Sequence, residues 1–364
     1  MENTIYNVIK YLEEIAPVCY QESYDNSGLL VGNADTVLKN GLICLDITMP
    51  VLDEAINKNC NLIISHHPLI FNPLKKITGS SLCENIIIKA IKNDIAIYAI
   101  HTNFDNMLCG VNKRFAQNLG LINTKILKPS GNNLYKLVTY IPCEHAEQVR
   151  NKLFNVGAGT IGNYTSCSYN VEGYGTFKAN ENANPFVGNK NELHKENEIR
   201  VEVIFSVHLK KQLIKTLMEN HPYEEPAFDI IPIANANPFV GSGMIGELKS
   251  DINEQDFMKF MKKQLNLSCI KHSKFTEKNI KTVAICGGSG SFLIEEAIRQ
   301  KADIFISSEL KYNHFIDYAD TILLADIGHF ESEIQTKQLL FDILIEKFST
   351  FATALNEQNP VSYF

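Results

Sequence analysis

Gly41-Leu-Ile-Cys-Leu-Asp46 and Asn61-Leu-Ile-Ile-Ser-His-His-Pro68 are short apolar runs of strand length, separated by a helical stretch that opens at Pro50. A helix near Glu84 and a third run, Ile95–Ile100, continue the alternation. This order predicts right-handed crossovers and a mainly parallel sheet. Ser81 and Glu84 have capping-box spacing, which supports the helix start there. Upstream, Ile5, Val8, Ile9, Leu12 and Ile15 fall at helical spacing until Pro17 stops the pattern.

The same texture returns later in Thr282–Cys286, a helix from about Phe292, Asp303–Ser307, Thr321–Ala325 and a long closing helix from about Phe330. Between about Lys128 and Ala234 the chain changes to glycine-punctuated segments and strand-like alternation such as Arg200–Val207. The fold class is α/β, with two α/β halves (1–127 and 237–364) forming one domain and an α+β domain inserted at 128–236. Asn182-Ala-Asn-Pro-Phe-Val-Gly188 recurs letter for letter as Asn235-Ala-Asn-Pro-Phe-Val-Gly241. It is too short for a structural repeat and reads as two turn-forming loops.

The 364 residues allow about two domains. A net charge of −7 gives no electrostatic footprint for nucleic acid. Nine scattered cysteines without a C-x-x-C pair suggest reduced thiols. The opening Met-Glu-Asn-Thr-Ile-Tyr lacks a basic leader region, and no apolar run reaches the roughly 18 residues of a membrane span, so a cytoplasmic protein is expected.

Chemistry gathers at strand exits, where ligands collect in open α/β sheets. His66 and His67 follow one run; adjacent side chains on extended backbone diverge, which suits two ions better than one. On its own the pair could equally sit at the surface. His101-Thr-Asn-Phe-Asp105 follows the next run, with Asp105 able to bridge two ions, or equally to cap a helix or turn, and His101 able to bind, to relay a proton or to orient a neighbour. Asp326-Ile-Gly-His329-Phe-Glu-Ser-Glu333 leaves a third, and His329 and Glu333, four apart, share a helix face and can grip a metal together, although such a pair alone is usually just a solvated face. The three histidines His66, His67 and His329 and the two carboxylates form a nitrogen/oxygen ligand set suited to zinc, iron, manganese or nickel. Cys286-Gly287-Gly288-Ser289-Gly290-Ser291 could present amides to an anion, although it lacks the Gly-Lys-Ser/Thr of a Walker loop. Glu309 is a possible proton carrier, and Ser307, Ser308 and His314 could face the same site.

Five ordered motifs resemble the Nif-three-like family, whose members include GTP cyclohydrolase I type 2 homologues: Tyr24-Asp-Asn-Ser-Gly-Leu-Leu-Val-Gly32, Ser65-His-His-Pro68, His101-Thr-Asn-Phe-Asp105, Cys286-Gly-Gly-Ser-Gly290 and Gly328-His-Phe-Glu-Ser-Glu333. The resemblance implies a dinuclear metal centre on His66, His67, Asp105, His329 and Glu333 in a toroidal homohexamer. The segment from Tyr135 through His221-Pro-Tyr-Glu-Glu-Pro226 is similar to the PII/CutA-like, ferredoxin-like insertion of longer members, which implies trimer contacts. Tyr24 stands where tryptophan is usual, a change expected to affect packing only. Glu309 replaces part of a Gly-Asp pair, which weakens a catalytic role for it.

The expectation is a metal-dependent hydrolase acting on a nucleotide or related anionic heterocycle, with GTP ring opening by activated water as the specific form and His101 as proton carrier. The alternative is a metal-binding regulatory scaffold whose insertion senses a small molecule or partner.

Overall fold

A computed structural model describes residues 3–363. The chain forms two compact units, one built from the segments that end at Pro129 and resume at Phe239, the other comprising Ser130–Pro238. The first unit holds two sheets. One has the strand order Gly28–Val31, Ala96–Ala99, Leu62–Ser65, Gly41–Cys44, Phe351–Thr353. Its strands pair in parallel except Gly28–Val31, which runs antiparallel to Ala96–Ala99. Successive residues of the inner strands are buried on both faces, which explains their unbroken apolar runs. Ile43, Ile64 and Tyr98 pack on the helix Ile5–Ile15, while Leu42, Ile63 and Ile97 pack with Leu52 and Ile87 from the helices Met49–Asn57 and Leu82–Lys92. Ser81 caps the latter helix by accepting from the Glu84 amide at 3.2 Å.

The second sheet has the order Lys271–His272, Leu323–Asp326, Ile304–Ser308, Asn279–Ser289, Asn237–Asn253, Ile122–Ser130, with a parallel centre. Because the three central parallel strands of each sheet run in one direction, their carboxyl ends share an edge, and the loops leaving those edges carry the histidine and carboxylate motifs.

Two expectations need correction. The closing helix divides into His329–Glu333 and Thr336–Ile345, and the chain then returns as the strand Phe351–Thr353 beside Gly41–Cys44. The following tail is fastened by two carboxylates: Glu54 accepts from the amides of Leu355 and Asn356, and Glu357 accepts from those of Leu45 and Asp46 while pairing with Lys337 at 2.8 Å. The repeated heptapeptide also splits. Its first copy is a loop, but the second enters the strand Asn237–Asn253, where Gly241 donates to the Asn106 carbonyl. A Cβ on Gly241 would lie 2.2 Å from the Lys128 carbonyl oxygen, so glycine is needed there for close approach.

The second unit is a four-stranded antiparallel sheet ordered Tyr169–Lys178, Leu193–Ser206, Leu134–Pro142, Phe228–Ile233. Helices Ala146–Asn155 and Lys210–Asn220 cover one face, giving a strand–helix–strand–strand–helix–strand course. Leu137, Val201, Val203 and Phe205 pack on Leu153, Leu213 and Leu217 in its core. Among the described residues no helix is long and apolar enough to cross a membrane.

Candidate metal centre

His66 and His67 leave the strand Leu62–Ser65, and their amides donate to the carbonyls of Cys44 and Leu45, fixing the backbone at the exit. Asp105 ends the short helix Thr102–Asp105 that follows Ala96–Ala99. His329 and Glu333 begin and end the helix after Leu323–Asp326, entered through Gly328 at φ +91°. These five side chains, from three strand exits and two sheets, converge on one cluster, and His101 joins them. Three groups within it could each hold a metal ion: His66 with Asp105 and Glu333, His67 with His329 and Glu333, and His66 with His67 and His101.

Each of the four imidazoles is anchored at Nδ1. His66 bonds the Ile100 carbonyl at 2.9 Å, His67 bonds Asp46 at 2.8 Å, His101 bonds Asp25 at 2.8 Å and His329 bonds Glu309 at 3.1 Å. Outer partners of this kind set ring orientation and tautomer, leaving Nε2 for the centre. The bond to a carbonyl places the His66 proton on Nδ1, so its Nε2 presents a bare lone pair. That buried Nε2 has no hydrogen-bond partner, and neither does the buried Asp105 Oδ1, 3.6 Å away. Two desolvated acceptors facing each other are costly unless a cation lies between them. The donor set therefore fits a metal.

Glu333 belongs to two of the three groups. Its Oε2 lies 2.9 Å from His67 Nε2 and 3.0 Å from His329 Nε2, while Oε1 faces His66 at 3.8 Å. Glu333 thus shares one candidate group with His66 and Asp105 and another with His67 and His329. A Cβ on Gly288 would lie 2.4 Å from Glu333 Oε1, so this glycine makes room for the carboxylate.

Residues 3–360 match the family model described as Duf34/NIF3 (NGG1p interacting factor 3). The chain belongs to the Duf34/NIF3 family. It is 38% identical over 324 residues to a protein of Halalkalibacterium halodurans named "GTP cyclohydrolase 1 type 2 homolog", covering 88% of this chain and 87% of that one. The protein of the same name in Bacillus subtilis is 38% identical over 330 residues, or 90% and 88% of the two chains. Among solved structures, a Bacillus cereus protein related to NIF3 superposes with a TM-score of 0.87 at 33% identity over 100% of both chains.

In this Duf34/NIF3 chain the cluster demands positive charge. Burial opposes a charged His67, but hydrogen bonds to Asp46 and Glu333 outweigh it and push the imidazole up to about 10. His329, bonded to Glu333 against the effect of burial, rises to about 9. Burial alone would raise Glu333, yet its bonds with His329 and His67 hold it well below the carboxylate range. Burial pushes Asp105 up. Protons thus occupy the imidazoles that a cation would otherwise claim.

The sequence reading assigned no role to Asp25 or Asp46. Asp25 is buried beneath His101, and hydrogen bonds from His101 and Thr102 overcome desolvation to hold it low. Its signal lay in the Tyr24–Gly32 motif; that of Asp46 lay at the end of the Gly41 run, at the same kind of exit as His66. The glycine turn is a plain structural turn at two of its amides: Gly287 donates to Asn112 and Gly288 to Ser332, which leaves neither for an anion. Ser307 donates to the Gly288 carbonyl and His314 accepts from the Lys311 amide, so neither joins the cluster. Glu309 touches His329 alone in the cluster and positions it. Tyr24, 62% exposed, is not a packing residue: with Phe71 and Phe292 it lines the mouth of a cavity of about 400 Å³ that reaches His67, His101, His329 and Glu333.

Proposed function

We propose that the cluster holds two divalent transition-metal ions per chain, zinc, iron, manganese or nickel, on His66, His67, Asp105, His329 and Glu333. The protein in this reading is a hydrolase acting on a nucleotide or related anionic heterocycle. The facing acceptors, His66 Nε2 and Asp105 Oδ1, carry the metal part of the proposal. Such ions supply Lewis acidity and water activation at neutral pH. Two ions bring four positive charges against the two ligand carboxylates, so an anionic substrate is attracted even in a chain of net charge −7. Exposed Tyr24, Phe71 and Phe292 at the cavity mouth offer flat faces on which a heterocycle can stack. His101, tied to Asp25 through Nδ1, carries the proton. GTP is the first substrate to test, because the curated relatives are named for it.

The test incubates metal-loaded protein with GTP over hours and follows products by chromatography and mass spectrometry. Ring-opened product that disappears with His101→Gln, while metal is retained, supports the reading. No product overturns the GTP form, and metal lost with His101→Gln makes His101 a ligand instead.

The inserted unit is read as a PII/CutA-like domain on its strand order, and the assembly as a homohexamer with trimer contacts through this unit. The exposed edge strand Tyr169–Lys178, with Tyr169 and Tyr174 at its surface, supports such contacts. Light scattering that gives any mass other than six chains removes the hexamer. The nine free cysteines favour a reducing, cytoplasmic setting. A regulatory reading without catalysis is favoured by a separate feature: the inserted unit has a cavity of its own, of about 610 Å³.

A further inference from the structure

From that second cavity we infer a binding site for a small organic cation, an amine or quaternary ammonium with an apolar body, independent of the metal cluster. The floor of the cavity is the sheet face opposite the two helices. Gly173, Gly175 and Val171 from one strand lie beside Glu198 and Arg200 from the next, with Tyr140 beyond them. The roof comes from two loops, one bearing Phe186 from the first copy of the repeated heptapeptide and the other bearing Tyr223 and Glu224 from His221-Pro-Tyr-Glu-Glu-Pro226. The loops are tied together where the Asn184 amide donates to the Glu224 carboxylate. About 610 Å³ is ample for a small molecule.

Glu198 gives the site its chemistry. It is 8% exposed, and its Oε1 accepts from the Tyr223 hydroxyl at 2.8 Å. Among the described residues no donor reaches Oε2, and no cation pairs with the carboxylate. The one lining guanidinium, Arg200, is engaged by Glu202 at 2.8 Å. The space above Gly175 is reserved for this group, since a Cβ there would lie 2.4 Å from Oε2. With no protein donor on it, this oxygen at the cavity lining is free to accept from a charged ligand.

The surroundings narrow the donor. Glu172, Glu224 and Glu225 add negative charge to the lining, so a phosphate or carboxylate ligand is repelled. A bare metal ion fits poorly: no group of metal-holding side chains found among the described residues includes any of these glutamates, and the remaining walls are aromatic or small and mostly apolar. Phe177 and Phe186 lie 6.1 Å and 6.4 Å from the Tyr223 ring, centroid to centroid, and Tyr140 adds a further ring, whereas the Tyr174 ring is already covered by the Lys195 ammonium at 3.7 Å. Aromatic faces beside one free carboxylate are the arrangement that recognises ammonium groups.

The test is calorimetric titration of the full chain in its native assembly with 2-phenylethylamine and benzyltrimethylammonium. Phenylacetate and 2-phenylethanol serve as anionic and neutral probes of the same size. The expected result is binding of the two cations only, weakened about tenfold or more by Glu198→Gln and by Phe186→Ala. Metal content should be unchanged in both variants. Gly175→Ala, which pushes a methyl group against Glu198, should also weaken binding. Equal binding of phenylethanol, an unchanged affinity in Glu198→Gln, or no binding of either cation at millimolar concentration would each overturn the assignment. None of these outcomes depends on whether the metal cluster is catalytic.

Discussion

Glu333 and Glu198 are both buried carboxylates that line a cavity, and they differ in what surrounds them. Glu333 sits among imidazoles whose far nitrogens are held by Asp46, Glu309 and a backbone carbonyl, so every ring is fixed before any ion arrives. Glu198 has one tyrosine hydroxyl and a wall of aromatic rings. The same functional group thus specifies different ligands: rigid nitrogen donors around a carboxylate make a cage for a hard or borderline cation, whereas π-faces around one make a seat for a soft organic cation.

The comparison breaks most decisively at Glu333. Glu333→Gln should reduce bound metal to background by elemental analysis while leaving 2-phenylethylamine binding intact; coupled loss of both would show that the two cavities are not independent. Truncating the inserted core by Phe205→Ala should cost about 3–5 kcal/mol and be visible in denaturant melts, with metal content preserved. If metal is lost with it, the α/β unit depends on the insertion. Asp46→Asn, which removes a support of His67 without touching the centre, should lower metal affinity by about 10- to 100-fold in a chelator competition, and Asp25→Asn should do so only if His101 is a ligand.

The smallest effect is a matter of pH. His67 and His329 are raised to about 10 and about 9, above the ordinary histidine value of about 6.5. In the metal-free protein their contribution to stability is therefore complete below about pH 6.5 and is lost as pH rises through those raised values. A metal must displace these protons, so its apparent affinity should climb with pH up to about 9–10 and binding at pH 7 should release protons. Calorimetry in two buffers of different ionisation enthalpy measures that release; a buffer-independent enthalpy contradicts it.

The legibility of this chain in its sequence varied with the range of the interactions involved. The runs ending at Cys44, Ser65 and Ala99 were readable because strands buried on both faces must be apolar throughout, and the polar residues that interrupt them then stand out. The break between Glu333 and Thr336 was not, since the two linking residues, Ile334 and Gln335, keep helical dihedrals and carry no proline or glycine to mark it. Phe351–Thr353 is three residues long, too short for any periodicity. The heptapeptide is the sharpest case: identical letters form a loop over a cavity at 182–188 and enter a strand at 237, where hydrogen bonds between Leu108 and Phe239 and between Asn106 and Gly241 impose extension. Asp25 and Asp46 were passed over because their partners, His101 and His67, are 76 and 21 positions away.

The fastened tail bears on how the molecule is made. Phe351 pairs with Gly41, and Glu357 seals the backbone at Leu45 and Asp46, immediately beside the support of His67. During synthesis His66 and His67 emerge long before Glu333 can join them, so a nascent chain meets metal with only part of its cage. The inserted unit faces no such wait, because all of its strands lie between Leu134 and Ile233. Those strands are all synthesised before Phe351 supplies the edge of the α/β sheet, so co-translational folding is expected to close the insertion first and the metal cage last.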